Sequence, residues 1–300
     1  MKIVYINRGS IDTKKWDSCI ARSVNSSVYA YSWYLDIVAP QWGALVANDY
    51  STVFPLPFST KYGITYVYQP GFTQYLGIFS RDQISDEVVS SFFAAIPPQF
   101  QHVSIYLNPF IKAVKGSVTS SRTTFNLDLI QPFHATLLRF SETVKKNVLK
   151  ATALNVSVLK GLSISQLFEL IEADPQQRLS KDHLNTLKRI ISFSTNLGVG
   201  QLYGAYTNSN QLCAAALFLT NQGRSTCLFS TVTPEGIENK AMYFLIDSYI
   251  IAHSEKNLVL DFEGASNTVI AEFYKGFGAI ECTFNHVVLN RLPWYLKLFR

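Results

Sequence analysis

The 300-residue sequence is poor in cysteine, and what it has is widely spaced. Its four cysteines, Cys19, Cys213, Cys227 and Cys282, form no CxxC pair. This pattern predicts reduced thiols in a cytoplasmic protein rather than a disulfide framework. No Cys/His group has the spacing of zinc ligands, and the five histidines are isolated from one another. The sequence therefore predicts no metal site.

Several enzyme and membrane signatures are also missing. There is no GxSxG, Walker or dinucleotide-binding fingerprint. No stretch approaches the ~18 uncharged apolar residues that a membrane span needs, and the N-terminus reaches Asn7 and Arg8 too soon for a signal peptide. Charged residues make up only 16% of the chain, and the net charge is +5. That charge suits an anionic substrate but falls short of a dedicated nucleic-acid-binding protein.

Apolar residues, in contrast, make up 48% of the chain, including 21 Phe. This is enough to build sizeable cores, and the length suggests two domains. In the second half the pattern predicts three antiparallel strands, near 200–206, 211–220 and 224–230, followed by helix, strand, helix and strand. The first half is a looser version of that order. We therefore predict an α/β fold with mixed sheets in two related domains, residues 1–132 and 133–300.

The stretch from Asn257 to Ala279 is the most informative part of the sequence. It predicts a buried strand over 257–262 and a short helix over 269–277, with Asp261 and Glu263 at the strand end. Alternation along a strand would place both acids on one face. At the carboxyl end of a strand, where α/β sheets build sites, a carboxylate can hold an attacking amine or take its proton. The alternative is that one acid pairs with a lysine or caps the next helix.

At this point the second half resembles the GNAT acyltransferase fold, and the tandem order resembles the Fem-type peptidyltransferases. The first similar stretch is KKNVLKA, residues 145–151, followed by residues 155–158. The other is DFEG, residues 261–264, followed by FYKGFG, residues 273–278. The resemblance implies two GNAT-like domains in tandem, with the last strand returning to complete the first.

One position departs from the Fem-type pattern. The family's lysine follows the first Phe of the FYKGFG-like run, whereas here Tyr274 holds that position and Lys275 comes one residue later. On a helix this shift rotates the ammonium group by about 100°. Tyr274 instead matches the tyrosine that serves as general acid in acetyl-CoA-dependent GNAT enzymes. The resemblance thus implies Asp261, Glu263 and Tyr274 as catalytic residues.

The predicted loop 231–238 bears on the cofactor. A pyrophosphate cradle needs backbone N–H groups and small residues before a helix, so Gly236 and Asn239 are the candidates for cofactor contacts. Glu235 and Glu238 place negative charge where the anion would have to approach. The sequence therefore identifies no definite cofactor. Acyl-CoA is a possible cofactor, but we expect the two glutamates to disfavour it. A Fem-type donor, aminoacyl-tRNA, is unaffected by this loop.

Two further groups are candidates for binding substrate. The polar loop 69–77 offers Gln69, Thr73, Gln74 and Tyr75 for a polar substrate in an inter-domain cleft, although it could also be a plain connection. Lys145, Lys146 and Lys150 could contact phosphates of a nucleotide-linked substrate or of tRNA, although a run of charges on a helix is usually its solvated face. Lys275 is a further candidate for binding substrate, with a solvated surface charge as the alternative.

Three hypotheses about function remain open. The first is an acyl- or aminoacyltransferase that forms an amide bond on an amine acceptor. The resemblance implies a small molecule or a cell-wall precursor as that acceptor. The second is an acyl-CoA-dependent N-acetyltransferase. The third is a non-catalytic binding protein that retains the GNAT-like fold.

Overall fold

A computed structural model describes residues 1–111, 118–174, 179–265 and 267–292. The strands within these ranges are β1 (Ile3–Asn7), β2 (Trp42–Ala47), β3 (Thr52–Lys61), β4 (Ile64–Val67), β5 (Phe79–Ser80), β6 (Phe100–Tyr106), β7 (Val118–Asp128), β8 (Ser157–Lys160), β9 (Gly200–Tyr206), β10 (Leu212–Asn221), β11 (Arg224–Val232), β12 (Val259–Asp261) and β13 (Ile280–Asn290).

The α-helices are α1 (Thr13–Arg22), α2 (Ser32–Val38), α3 (Asp86–Ala94), α4 (Phe133–Leu137), α5 (Glu142–Ala153), α6 (Ile164–Ala173), α7 (Lys181–Asn196), α8 (Pro234–Glu238), α9 (Ala241–His253) and α10 (Thr268–Gly276). Short 3₁₀ turns at Arg8–Ser10 and Val28–Ala30 complete the regular structure of the described residues.

The chain divides into two compact units. The first contains residues 1–123 together with the described residues from 283 onward, and the second contains residues 124–282. The strand β13 starts in the second unit and continues in the first, where it pairs antiparallel with β6. The return of the last strand to the first unit, which the Fem-type resemblance implied, is therefore confirmed.

The first unit is built on a mixed sheet with the strand order β1-β2-β3-β4-β6-β13, and β5 pairs with β3. All neighbours are antiparallel except β4 and β6, which are parallel. All six residues of β2 are buried. Trp16 of α1 is fully buried, and its indole N–H donates to the Ala30 carbonyl at 2.8 Å. The core of this unit thus lies where α1 packs on the sheet.

The second unit has the strand order β7-β12-β11-β10-β9-β8. The pairing of β11 with β12 is parallel, and the other pairings are antiparallel. The three predicted antiparallel strands are confirmed as β9, β10 and β11. Residues 213–219 of β10 are all fully buried, as expected of a central strand. Tyr249 of α9 stacks on Phe218 with ring centroids 3.7 Å apart, which fixes α9 against this strand.

The helix α10 follows β12 closely, and local chemistry sets both of its ends. Asn267 caps its start by accepting a hydrogen bond from Ile270 N–H at 2.9 Å. At its end Gly278 has a φ of +82°, the left-handed conformation that favours glycine. A side chain at Gly276 would place Cβ 2.7 Å from a Val144 methyl group. The two glycines of FYKGFG therefore stop α10 and let it approach α5.

One predicted loop is partly wrong. Residues 231–238 were expected to be a loop, but Pro234–Glu238 forms the short helix α8. Thr233 caps it by accepting from Gly236 N–H at 3.2 Å, and Pro234 occupies its first turn. Thr followed by Pro is a helix-start signal, which outweighs the turn tendency of the Pro-Glu-Gly sequence.

Asp247 of α9 provides a test of this core. It is 4% exposed, and its Oδ1 atom has no hydrogen-bond partner among the described residues. Burial raises the pKa of its carboxyl to about 6. Because the pKa is raised in the folded state, the unfolded chain ionises first as the pH rises. The contribution of this carboxyl to the free energy of unfolding is therefore lost as the pH rises from about 4 to about 6.

We expect Asp247→Asn to remove this loss. Urea denaturation measures the difference in free energy of unfolding between the variant and the wild type. This difference should be about 2–3 kcal/mol larger in favour of the variant at pH 7 than at pH 4. Asp82→Asn, at an exposed position, is the control and should follow the wild-type pH dependence. Parallel curves for Asp247→Asn and wild type would contradict the assignment.

Candidate active site

Asp261, the last residue of β12, lies fully buried at the centre of a hydrogen-bonded group in the second unit. Its Oδ1 accepts from the Thr124 hydroxyl at 2.6 Å and from the Glu263 N–H at 2.9 Å. Its Oδ2 accepts from Arg224 Nη1 at 2.9 Å. These contacts join β7, β11 and the segment after β12, and they favour a positioning role for Asp261.

Arg224, at the start of β11, is the cationic partner of Asp261. Its side chain is only 19% exposed, and its Nη1 also donates to Asn126 Oδ1 at 3.0 Å. A buried ion pair is retained only when further hydrogen bonds offset the loss of hydration. Here Thr124 and Asn126, both on β7, supply them.

Glu263 departs from the sequence prediction. The expected alternation that would place Asp261 and Glu263 on one strand face is wrong, because β12 ends at Asp261 and Glu263 has a φ of +62°. The cause is local. The Asp261 carboxylate accepts the N–H of the residue two positions on, which is an Asx turn and bends the chain. The half-exposed side chain of Glu263 therefore does not follow the alternation of β12.

Tyr274 of α10 lies beside these acids. Its ring stacks on Phe262 with centroids 4.7 Å apart and contacts Phe125 at 5.6 Å. Burial, and then the charges of Glu263 and Asp261, raise the pKa of its hydroxyl. Tyr274 therefore keeps its proton at neutral pH. Among the described residues its hydroxyl makes no hydrogen bond, which leaves it a donor for a ligand.

Cys227 of β11 is a neighbour that the sequence did not predict. Burial, followed by the charges of Glu263 and Asp261, raises the pKa of its thiol. It is therefore a neutral thiol and not a nucleophilic thiolate. Only the parallel pairing of β11 with β12, which puts Thr226 opposite Asp261, brings it close to the acids. A lone cysteine in the sequence carries no signal of that pairing.

The predicted lysines lie on the surface of the second unit, two of them in ion pairs. Lys275 is 3.1 Å from Glu281 and 4.0 Å from Glu272, and Lys145 is 3.0 Å from Glu142. Lys146 is exposed. An open groove of about 510 Å³ lies between the start of α5 and α10 and is lined by Ser141, Thr143, Tyr243, Glu272 and Lys275 among others. Of the three lysines, Lys275 alone lines this groove.

Loop 69–77 of the first unit carries the four predicted polar residues, and two of them, Gln69 and Thr73, are hydrogen-bonded to each other. Gln69 Nε2 donates to the Thr73 carbonyl at 2.8 Å, and its Oε1 accepts from Tyr106 N–H at 3.1 Å. Thr73 and Tyr75 are buried. The side-chain N and O of Gln74 are buried without a hydrogen-bond partner in the described chain. Among the four predicted residues of this loop, Gln74 is therefore the one whose side-chain amide stabilises no neighbour through a hydrogen bond.

Gly236 and Asn239, the candidates for cofactor contacts, have local structural roles. A Cβ on Gly236 would lie 2.2 Å from the Cys213 carbonyl oxygen, so close packing alone requires glycine. The N–H groups of both residues are used within α8, by the Thr233 hydroxyl and the Glu235 carbonyl. Glu235 and Glu238 are exposed on the same short helix. The weak affinity for acyl-CoA expected from the sequence stays a prediction.

Neither a membrane-spanning helix nor a metal-binding cluster occurs among the described residues. None of the described helices is both long and apolar enough to cross a membrane. No group of three or more His, Cys, Asp or Glu in the same residues is arranged to hold a metal ion.

Comparison by sequence finds no matching family model and no matching curated protein. By structure, the chain is similar to FemX, with a TM-score of 0.70 and 12% identity over 100% of both chains. It is also similar to the C-terminal domain of a putative lysylphosphatidylglycerol synthetase from Agrobacterium fabrum, with a TM-score of 0.59, 10% identity and coverage of 96% and 95%. L-PGS from Bacillus licheniformis gives a TM-score of 0.59 and 9% identity, again over 96% and 95%. The fold is thus Fem-type, with two GNAT-like domains in tandem.

The buried pair predicts a stability effect. Asp261→Ala should lower the free energy of unfolding by about 3–5 kcal/mol, because it removes the fully buried carboxylate that accepts from Arg224 Nη1 and from the Thr124 hydroxyl. Removing both charges in Asp261→Leu/Arg224→Met should restore part of the loss. Urea denaturation measures both variants, with Glu272→Ala on the exposed side of α10 as control. A loss below about 1 kcal/mol, typical of a surface pair, would show that the pair does not hold this site.

Proposed function

We propose that this chain is an acyl- or aminoacyltransferase that forms an amide bond on an amine acceptor at the β12–α10 site of the second unit. The observation that carries the proposal is the placement of Tyr274, whose ring stacks on Phe262 with centroids 4.7 Å apart at the end of β12, where Glu263 follows. Burial, and then the nearby charges, raise the pKa of its hydroxyl. A retained proton and a nearby carboxylate are the acid and the base that acyl transfer to an amine requires.

The reaction follows from these two groups. The acceptor amine attacks the activated carbonyl carbon of the donor, so that a C–N bond forms and the C–O or C–S bond to the leaving group breaks. Glu263 takes the proton that the amine loses. Tyr274 donates its proton to the departing atom. Before the next cycle Glu263 releases its proton to solvent and Tyr274 takes one back. Asp261 has a positioning role, because its carboxylate fixes the backbone of Glu263 and the side chain of Arg224.

The choice of donor rests on similarity and on charge. Two structural neighbours are named for a lysylphosphatidylglycerol synthetase and an L-PGS, and FemX shares the whole fold. These names support an aminoacyl group as the transferred unit. The Fem-type resemblance supports aminoacyl-tRNA as its carrier and a small molecule or a cell-wall precursor as the amine acceptor.

Acyl-CoA is the alternative donor, and the contacts of α8 argue against it. An incoming pyrophosphate would meet the exposed Glu235 and Glu238, and the N–H groups of Gly236 and Asn239 already have partners. Like charges within a few ångströms repel by about 1 kcal/mol or more.

Tyr274→Phe tests the acid directly. We expect the rate of transfer of a labelled amino acid from charged tRNA to amine acceptors to fall about 100-fold or more. Stability should hold, because the ring that stacks on Phe262 remains. Tyr62→Phe, at a tyrosine that is 92% exposed in the first unit, is the matched control and should keep the wild-type rate. An unchanged rate in Tyr274→Phe would remove this tyrosine from the chemistry.

Titration calorimetry with acetyl-CoA separates the two donors. We expect no binding in the micromolar range by the wild type. The double variant Glu235→Gln/Glu238→Gln should bind no worse than the wild type, since it removes the repulsion. Micromolar binding by the wild type would overturn the preference for an aminoacyl donor.

A further inference from the structure

The first unit carries a second surface with chemistry of its own, on the sheet formed by β4, β6 and β13. One face of β6 is core, because Val103 and Ile105 are fully buried. The alternate residues His102, Ser104 and Tyr106 are half-exposed and must share the opposite face. We call this opposite face, with its neighbours on β4, β13 and the start of β7, the tyrosine face.

Aromatic rings from neighbouring strands lie together on the tyrosine face. Tyr106 of β6 and His286 of β13 are register partners and stack with centroids 4.3 Å apart at 21°. Tyr66 of β4 pairs with His102 of β6, and the Tyr66 and Tyr68 rings lie 6.1 Å apart. An open hollow of about 410 Å³ is lined here by Ile64, Tyr66, Val67, Tyr68, His102, Ser104 and Leu292. The face thus offers flat, partly exposed rings on adjacent strands.

The charge on this face has one sign. The Arg122 guanidinium lies 4.2 Å from the Tyr106 ring centroid, and Lys61 lies 5.4 Å from the ring of Tyr62 at the β3–β4 turn. The sequence contains no Asp or Glu between Asp49 and Asp82, between Glu87 and Asp128, or after Glu281. Residues 64–67 of β4, 100–106 of β6, 118–127 of β7 and 282–290 of β13 therefore bring no carboxylate to the face. The low overall net charge conceals this local asymmetry.

Hydroxyl groups accompany the rings. The Ser104 hydroxyl is 2.8 Å from His286 Nε2, and the Ser120 hydroxyl is 3.4 Å from its Nδ1. Burial, together with the charges of Arg122 and His102, lowers the pKa of His286. At neutral pH His286 is thus a neutral flat ring held in orientation by two hydroxyls. Arg122 is the permanent cation of the cluster.

We propose that the tyrosine face binds single-stranded RNA. Exposed rings on a sheet stack unpaired bases, and arginine beside them contacts the phosphates. Neighbouring strands are about 4.8 Å apart, so the register partners Tyr66 of β4 and His102 of β6 can accept successive bases. The serine hydroxyls are suited to the 2′-hydroxyl that distinguishes RNA from DNA. A protein partner is a weaker fit, because nothing on the face selects one except apolar area. The proposal does not depend on the transfer reaction, since it needs no aminoacyl group.

Fluorescence anisotropy with a short fluorescein-labelled oligoribonucleotide of mixed sequence tests this directly. We expect micromolar binding by the wild type at low salt. Tyr66→Ala should weaken it about tenfold, in line with the loss of one stacked base. Arg122→Gln should weaken it too and should reduce the slope of log affinity against log salt by about one. Lys188→Gln, an exposed lysine of α7 in the second unit that changes net charge equally, is the control and should bind as the wild type does.

Several results would overturn the proposal. They are no binding by the wild type, equal binding by wild type and Tyr66→Ala, or equal loss in Arg122→Gln and Lys188→Gln. Equal or tighter binding of the DNA oligonucleotide of the same sequence would overturn the assignment to RNA. A dimer seen by light scattering that Tyr66→Ala dissociates would replace RNA with a second copy of the chain. Circular dichroism of each variant confirms that it is folded.

Discussion

The buried carboxylate of Asp261 is the constraint on which the second unit's site depends. A fully buried charge must be compensated, and Arg224, Thr124 and the Glu263 N–H provide that compensation. Meeting this requirement fixes the start of β11 against the end of β12 and β7. It also bends the chain at Glu263. The local geometry of the site is therefore a consequence of placing one acid where water cannot reach it.

The same constraint sets the chemistry of the neighbours. Burial, reinforced by the negative charges of Asp261 and Glu263, raises the pKa of both Tyr274 and Cys227. A tyrosine in such surroundings donates protons and does not become a phenolate at neutral pH. The thiol is neutral for the same reason, so it offers no competing nucleophile. The arrangement thus favours acid–base assistance to an amine attack over covalent catalysis through Cys227.

Much of the fold could be predicted from the sequence, because its signals are local. The cap and glycines of α10, the turns between β9, β10 and β11, and the Fem-type stretches all lie within a few residues of what they determine. The residues of the candidate site were harder to predict from the sequence. Thr124 and Arg224 are 137 and 37 residues from Asp261, and no short motif reveals that they meet. The Asx turn that removes Glu263 from the strand face depends on this arrangement, which is why simple alternation failed. Likewise, glycine is required at position 236 of α8 because a side chain there would meet the Cys213 carbonyl of β10.

The central claim is that burial, reinforced by the charges of Glu263 and Asp261, keeps the Tyr274 hydroxyl protonated as a donor. Carbon-13 labelling of the tyrosine Cζ atoms, with the Tyr274 resonance assigned by its absence in Tyr274→Phe, measures this directly in an NMR titration. The account predicts that the Tyr274 resonance does not move at pH values near the ordinary tyrosine pKa of about 10. A Tyr274 resonance that titrates at that ordinary value, or below it, would contradict the account.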